Sequence, residues 1–192
     1  TAEEITTTAY EYYSERDSLG RCGVVHACLG KELFPTKKRG DISSVKPTGW
    51  HSVTYSIVEG GSLYNRSHLI AHKFTGQDAN WENLITGTRY MNATGMDKFE
   101  CEVYDYLKSS GNHVMYRVTP IFVGEELVAR GVLMEGYSVE DSGKGIKYNA
   151  FCYNVQPGIE IDYATGDNRL AASSGEGTTT AMPDCSYVLN TG

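Results

Sequence analysis

Three runs in the second half of the chain most constrain what it can fold into: HVMYRVTPIFV (113–123), ELVARGVLMEGYSV (126–139) and IKYNAFCYNVQ (146–156). Each is rich in Val, Ile, Tyr and Phe, and only Gly or acidic turns separate them. No helix-length segment lies between neighbours, so the runs are expected to pair as an antiparallel sheet. Residues 94–109 read as a helix, because Met96, Phe99, Val103, Tyr106 and Leu107 recur on one helical face. Glu100 falls about 60° from the centre of that stripe at roughly 100° per residue. Its side chain is therefore expected on the flank, looking into a site beside the core; the plain alternative is an ordinary boundary glutamate. Upstream, CGVVHACLG (22–30) reads as a short buried strand. HSVTYSIVEGGSLY (51–64) alternates apolar and polar residues and turns at Gly60–Gly61, as a half-exposed strand and hairpin turn would.

The expected class is α+β, a central antiparallel sheet with flanking helices. Residues 1–20 read as an acidic N-terminal helix closing at Gly20, residues 21–166 as the main domain, and residues 167–192 as a loosely ordered Gly/Ser/Thr-rich tail. No apolar run is long enough for a membrane-spanning helix. The net charge of −7 argues against a nucleic-acid binder, but its distribution does not. Residues 21–99 carry +4, against −4 for residues 1–20 and −7 for residues 100–192, so a local positive field is expected within an acidic protein. The densest basic run is Lys37, Lys38 and Arg39, whose plain reading is a solvated loop. Five cysteines, Cys22, Cys28, Cys101, Cys152 and Cys185, contain no CxxC pair, which argues against a zinc ribbon. Cys22 and Cys28 are near enough in sequence to close a local disulfide in an oxidising compartment.

Polar residues gather in YNRSHLIAH (64–72), where Arg66, His68 and His72 surround Leu69 and Ile70, and in ENLITGTRYMN (82–92). Asn83 and Asn92 bracket Thr86, Thr88 and Arg89 in the second stretch. An amide oxygen is a hard ligand suited to Mg²⁺. A histidine can take a proton from water near neutral pH. An arginine grips phosphate through two parallel N–H groups. Together these are the parts of a phosphodiester hydrolase. Set against that reading, most loop asparagines are turn residues and most histidines are structural. A zinc helix built on His68 and His72 is the rival metal reading, and it lacks both the HExxH glutamate and an obvious third ligand.

The stretch YNRSHLIAHKFTGQDANWENLITGTRYMN, with NHVMYRVTPIFVGEELVARGVLMEGYSVED and YNVQPGIEIDYATG after it, resembles the DNA/RNA non-specific endonuclease family. These are the ββα-metal, or His-Me finger, nucleases, and the similarity is to the secreted streptodornase and DNA-entry branch. The resemblance runs from about Cys22 to Gly166 and implies a ββα-metal catalytic motif. The family's Asp-Arg-Gly-His motif falls on Asn65, Arg66, Ser67 and His68, which implies that His68 is the general base and Arg66 a phosphate contact. It likewise implies Asn92 as the metal ligand, Glu100 as the residue orienting water at the metal, and Asn83 as a support for the metal or the histidine. Asn65 and Ser67 depart from the motif by losing an acid and a glycine. The expected function is an Mg²⁺-dependent endonuclease, with Mn²⁺ as a substitute, acting on DNA and with RNA as a second substrate, and leaving 5′-phosphates. Lys37, Lys38, Arg39 and Arg89 are assigned to the nucleic acid. Secretion is expected, with no membrane partner. The alternative is a catalytically decayed nucleic-acid-binding module on the same fold, suggested by Asn65 and Ser67 alone.

Overall fold

The computed structural model describes residues 5–172 and 182–188. Strands β1 (Tyr10–Tyr13), β2 (Val25–Leu29), β5 (Val114–Ile121), β6 (Gly131–Ser138), β7 (Lys147–Tyr153) and β10 (Cys185–Tyr187) form a six-stranded sheet in the order β1-β2-β5-β6-β7-β10. Strands β3 (Tyr64–His68) and β4 (Leu84–Thr88) make a separate pair, as do β8 (Ile159–Ile161) and β9 (Asn168–Leu170). Every named pairing is antiparallel. The class is α+β, and the three β-rich runs form the middle of the large sheet.

The alternation in those runs sorts side chains to two faces. Val114, Tyr116 and Val118 of β5 are buried with Val132 and Met134 of β6 and Ala150 and Cys152 of β7. Helix α2 (Asp97–Ser110) lays Phe99, Val103 and Leu107 on that face. Burying an aliphatic or aromatic side chain of this size stabilises by about 1.5–3 kcal/mol, so the helix is held by its stripe. Gly136 stands in register between Tyr116 and Tyr148. A β-carbon there would meet Tyr148 Cε1 at 2.6 Å, so the absent side chain makes room for the ring.

The first segment differs from expectation. Residues 5–20 contain no helix; Tyr10–Tyr13 is an edge strand paired with β2. Acidic charge suggested a helix, but three tyrosines within Tyr10–Tyr13 favour a pleated surface, and Tyr12 stacks on His26 at 4.7 Å. Gly20 does adopt a left-handed φ of 81°, but it closes a tight turn whose N–H donates to Asp17 O. Residues 51–63 are also not a strand. A single bridge, Thr54 to Ser62, joins the two arms of a loop. Its apolar residues are used instead in a small second cluster of Val58, Leu63, Tyr64 and Ile159, with Trp50, Val53 and Tyr55 against it.

The expected tail boundary is too early. Asn168–Leu170 pairs with β8, and Cys185–Tyr187 adds the last strand of the main sheet. A disulfide links Cys152 to its register partner Cys185. The expected loose Gly/Ser/Thr run at 173–181 lies outside the described residues. Cys22 and Cys28 are unpaired thiols. Cys22 donates to Trp81 O and Leu84 O, and Cys28 donates to Thr6 O, so backbone carbonyls occupy both.

Candidate active site

Strands β3 and β4, then a π-helical turn (Met91–Met96), then α2, wall one side of a cleft of about 610 Å³. Short π-helical insertions of this kind recur at functional sites because they push one residue out of the helical ladder. The lining includes Arg39, Arg66, His68, Arg89, Asn92 and Glu100, all assigned from sequence, together with Glu59, His72, Lys73 and Asp97.

His68 is the last residue of β3 and is only 7% exposed. Its Nε2 lies 3.0 Å from Asp78 O. A carbonyl accepts only, so Nε2 carries the proton and Nδ1 keeps its lone pair. Arg39 Nη2 lies 3.5 Å from that Nδ1. Burial holds the His68 pKa below its ordinary value, with the charges of Arg39 and His72 adding to the effect and the Asp78 carbonyl opposing it. The ring is therefore neutral at pH 7 and able to accept a proton.

Asn92 sits in the π-helical turn, and its Nδ2 donates to Asn65 Oδ1 at 3.5 Å. That contact uses the amide nitrogen and leaves the amide oxygen for another partner. Asn65, the first departure from the motif, thus turns its side-chain oxygen to Asn92. Ser67, the second departure from the motif, is fully buried. Its space is made by Gly87, where a β-carbon would come within 2.8 Å of Ser67 Cβ.

Glu100 is buried on the flank of α2 and lines the cleft. Burial pushes its carboxyl up to about 7, opposed by Lys73, whose Nζ stands 3.7 Å from Oε2. Lys73 also bonds Asp97 at 3.0 Å. Arg66 is partly committed: Nε donates to Val45 O, Nη2 donates to Ser43 O at 3.0 Å, and the guanidinium lies 4.2 Å from the Trp50 ring centroid.

Three assigned residues lie elsewhere. Asn83 does not line the cleft; it is fully buried and clasps the chain just past His68. Its Oδ1 accepts from Ile70 N at 2.8 Å, its Nδ2 donates to Ile70 O at 2.9 Å, and its carbonyl accepts from Leu69 N at 2.9 Å. Lys37 and Lys38 are exposed and outside the lining, so of that basic run only Arg39 reaches the cleft. His72 opens the one-turn helix α1 (His72–Thr75) while His68 ends a strand, so the two share no helical face and the zinc-helix arrangement is absent. His72 still lines the cleft and lies 3.3 Å from Asp78 Oδ1.

Sequence reasoning missed Asp78, Lys73, Asp97 and Glu59. Asp78 is the organiser: its carbonyl orients His68, and its carboxylate meets His72 and accepts the Gly40 N–H at 2.9 Å. Nothing local marks it, since an Asp in a polar loop is commonplace. Lys73 and Asp97 join only because α1 packs beside the start of α2.

The donor set fits a hard divalent cation. Asn92 offers an amide oxygen and Glu100 a carboxylate in one cleft. Among the described residues, no group of three or more His, Cys, Asp and Glu is arranged to hold an ion.

The sequence pattern of the DNA/RNA non-specific endonuclease family matches residues 2–140. A deoxyribonuclease from Streptococcus dysgalactiae subsp. equisimilis is 32% identical over 109 residues, 54% of this chain. The chain spans about a third of the length of that curated relative, 32%. The structure of NucA from Streptococcus agalactiae with no metal bound superposes with a TM-score of 0.76 at 26% identity, covering 88% of this chain and 81% of that one. Its magnesium-bound structure gives 0.77 at 24% identity, a likeness of fold, over 88% and 82%. The Sda1 nuclease with bound zinc ion gives 0.73 at 29% identity, over 85% and 81%.

Proposed function

The chain belongs to the DNA/RNA non-specific endonuclease family, and from that premise we propose that it is a divalent-metal-dependent endonuclease that hydrolyses DNA without regard to sequence. The observation that carries the reading is His68, buried, with Nε2 3.0 Å from Asp78 O, in the same cleft as Asn92 and Glu100. His68 Nδ1 takes the proton of a water that attacks phosphorus in line. The bond from phosphorus to O3′ breaks, and O3′ takes a proton from solvent water on the far side while His68 returns its own to solvent, leaving a 5′-phosphate and a 3′-hydroxyl. Asn92 would hold the divalent cation, which would supply positive charge against the negative charge that grows in the transition state. Asn65 orients the Asn92 amide, and Lys73 holds the Glu100 carboxylate at the edge of the same space. Arg39 and Arg89 grip phosphate oxygens.

Mg²⁺ is the proposed ion, with Mn²⁺ as substitute, because amide and carboxylate oxygens are hard donors. RNA is a second substrate on this reading, because the phosphodiester that is cleaved is common to both polymers. Secretion is supported by the Cys152–Cys185 disulfide, a bond that persists in oxidising compartments. The decayed-module alternative rested on Asn65 and Ser67. Asn65 accepts from Asn92 in the cleft, and Gly87 leaves room for the Ser67 side chain, so both departures are accommodated, which supports a working site.

Supercoiled plasmid incubated with Mg²⁺, with and without chelator, tests the activity. The wild type should nick and linearise it, and chelator should stop the reaction. His68→Ala should slow cleavage about 10²–10⁴-fold with DNA binding retained, which is what a positioned proton acceptor contributes. A dead His72→Ala beside an active His68→Ala would overturn the assignment of the base.

A further inference from the structure

Arg89 follows β4 directly, and its backbone N–H donates to Leu63 O at 2.7 Å. Its guanidinium lines the cleft, with Nη2 3.6 Å from Glu59 Oε2. That is an ion pair too long to be a hydrogen bond. Arg89 Nε is buried and has no acceptor among the described residues. The Nε and Nη2 edge of an arginine is a fork that takes two oxygens of one carboxylate or phosphate. Here one tine is unmet and the other is held at long range by a single oxygen.

Glu59 sits at the tip of the 51–63 loop. The base of the tip is anchored: Val58 is buried, Tyr55 N donates to Gly61 O at 2.8 Å, and Gly61 N donates to Val58 O at 2.9 Å. The tip itself stands clear. Gly60 and Gly61 adopt left-handed φ values of 73° and 83°, with nothing within 4 Å of where a β-carbon would lie. The Glu59 side chain is 84% exposed. It can therefore leave Arg89 without disturbing any packed group.

We infer that the Arg89 fork is a phosphate subsite beside the reacting one, and that Glu59 is its tethered competitor, a carboxylate that stands in the phosphate position until a polynucleotide backbone displaces it. The inference rests on the nuclease reading and deepens it. A tethered anion acts at high effective concentration. It is dislodged best by a polyanion that holds neighbouring phosphates in other parts of the cleft. Glu59 thus sets how readily DNA enters without touching the reacting atoms.

Glu59→Gln keeps the shape and removes the charge. KM, kcat and metal-free DNA binding by fluorescence anisotropy in chelator are measured for wild type, E59Q, R89A and E59Q/R89A. Glu160→Gln, which loses a carboxylate paired with Arg169 outside the cleft, is the control for net charge. E59Q should lower KM and tighten binding roughly two- to fivefold at low salt, with kcat unchanged. The gain should vanish in the R89A background and be absent in E160Q. An unchanged or weakened affinity in E59Q overturns the inference, as does an equal gain with Arg89 removed. If the wild type cleaves nothing, the nuclease reading fails, and the anisotropy arm still decides whether Glu59 competes for Arg89.

Discussion

The two asparagines beside the histidine strand do different work, and their variants should separate it. Asn65 accepts from Asn92 in the cleft, while Asn83 clasps both sides of Ile70 in the interior. Asn65→Ala should raise the metal concentration for half-maximal activity about 10–100-fold, the usual effect of losing a residue that orients a ligand. Activity at saturating metal should approach wild type. A normal metal midpoint with depressed saturating activity would refute the orienting role. Asn83→Ala leaves a buried N–H and a buried C=O unmet, which costs about 1–3 kcal/mol for each group. Urea unfolding should show that loss, with the metal midpoint of the remaining folded enzyme unmoved. The family resemblance marked Asn65 as the place of a lost acid and Asn83 as a support for the metal or the histidine, but it could not say what each amide bonds, because those partners meet only once the chain is folded.

At the scale of elements, His113 joins the start of β5 to two acidic neighbours: Nδ1 lies 2.6 Å from Glu140 Oε1 and Nε2 2.9 Å from Glu32 Oε1. Glu140 first and Glu32 second raise the His113 pKa above its ordinary 6.5. His113 in turn lowers Glu32 below 4.5. Burial pushes Glu140 up, but its bonds to His113 outweigh that and lower it too. Stability from the raised histidine is fully present below about pH 6.5 and is lost as pH rises through its folded value. Stability from the lowered carboxylates is present above about pH 4.5 and is lost as pH falls. The cluster should therefore stabilise most between those limits. Unfolding measured at pH 5.5 and 8.5 should show the wild type losing on the order of 1 kcal/mol or less relative to His113→Gln, given solvent screening. Identical pH slopes would refute it. The strands and helix that this cluster borders were legible because their patterns run long enough to outvote local noise. β1 was not, since a few tyrosines on an edge carry no period and their acidic neighbours imitate a helix.

Across the whole molecule, an acidic protein concentrates Arg39, Arg66, Arg89 and Lys73 in one cleft. Each arginine that meets a phosphate releases counterions, so cleavage should weaken as salt rises. Arg39→Ala should flatten the dependence of log affinity on log salt by about one unit, while Lys37→Ala and Lys38→Ala should leave the slope unchanged. Equal slope changes at all three would return the run to a common substrate path. By itself the sequence determined the antiparallel sheet, the helix that covers it and the two polar stretches that line the cleft, because hydrophobic period and dense polar clusters are local properties. Only the tertiary structure decided that Asp78 orients His68, that Lys73 holds Glu100, that Glu59 stands against Arg89, and that Cys152 pairs with Cys185. Those partners lie far apart along the chain or in patternless loops, and their chemistry depends on distance and burial, which exist only once the chain has closed on itself.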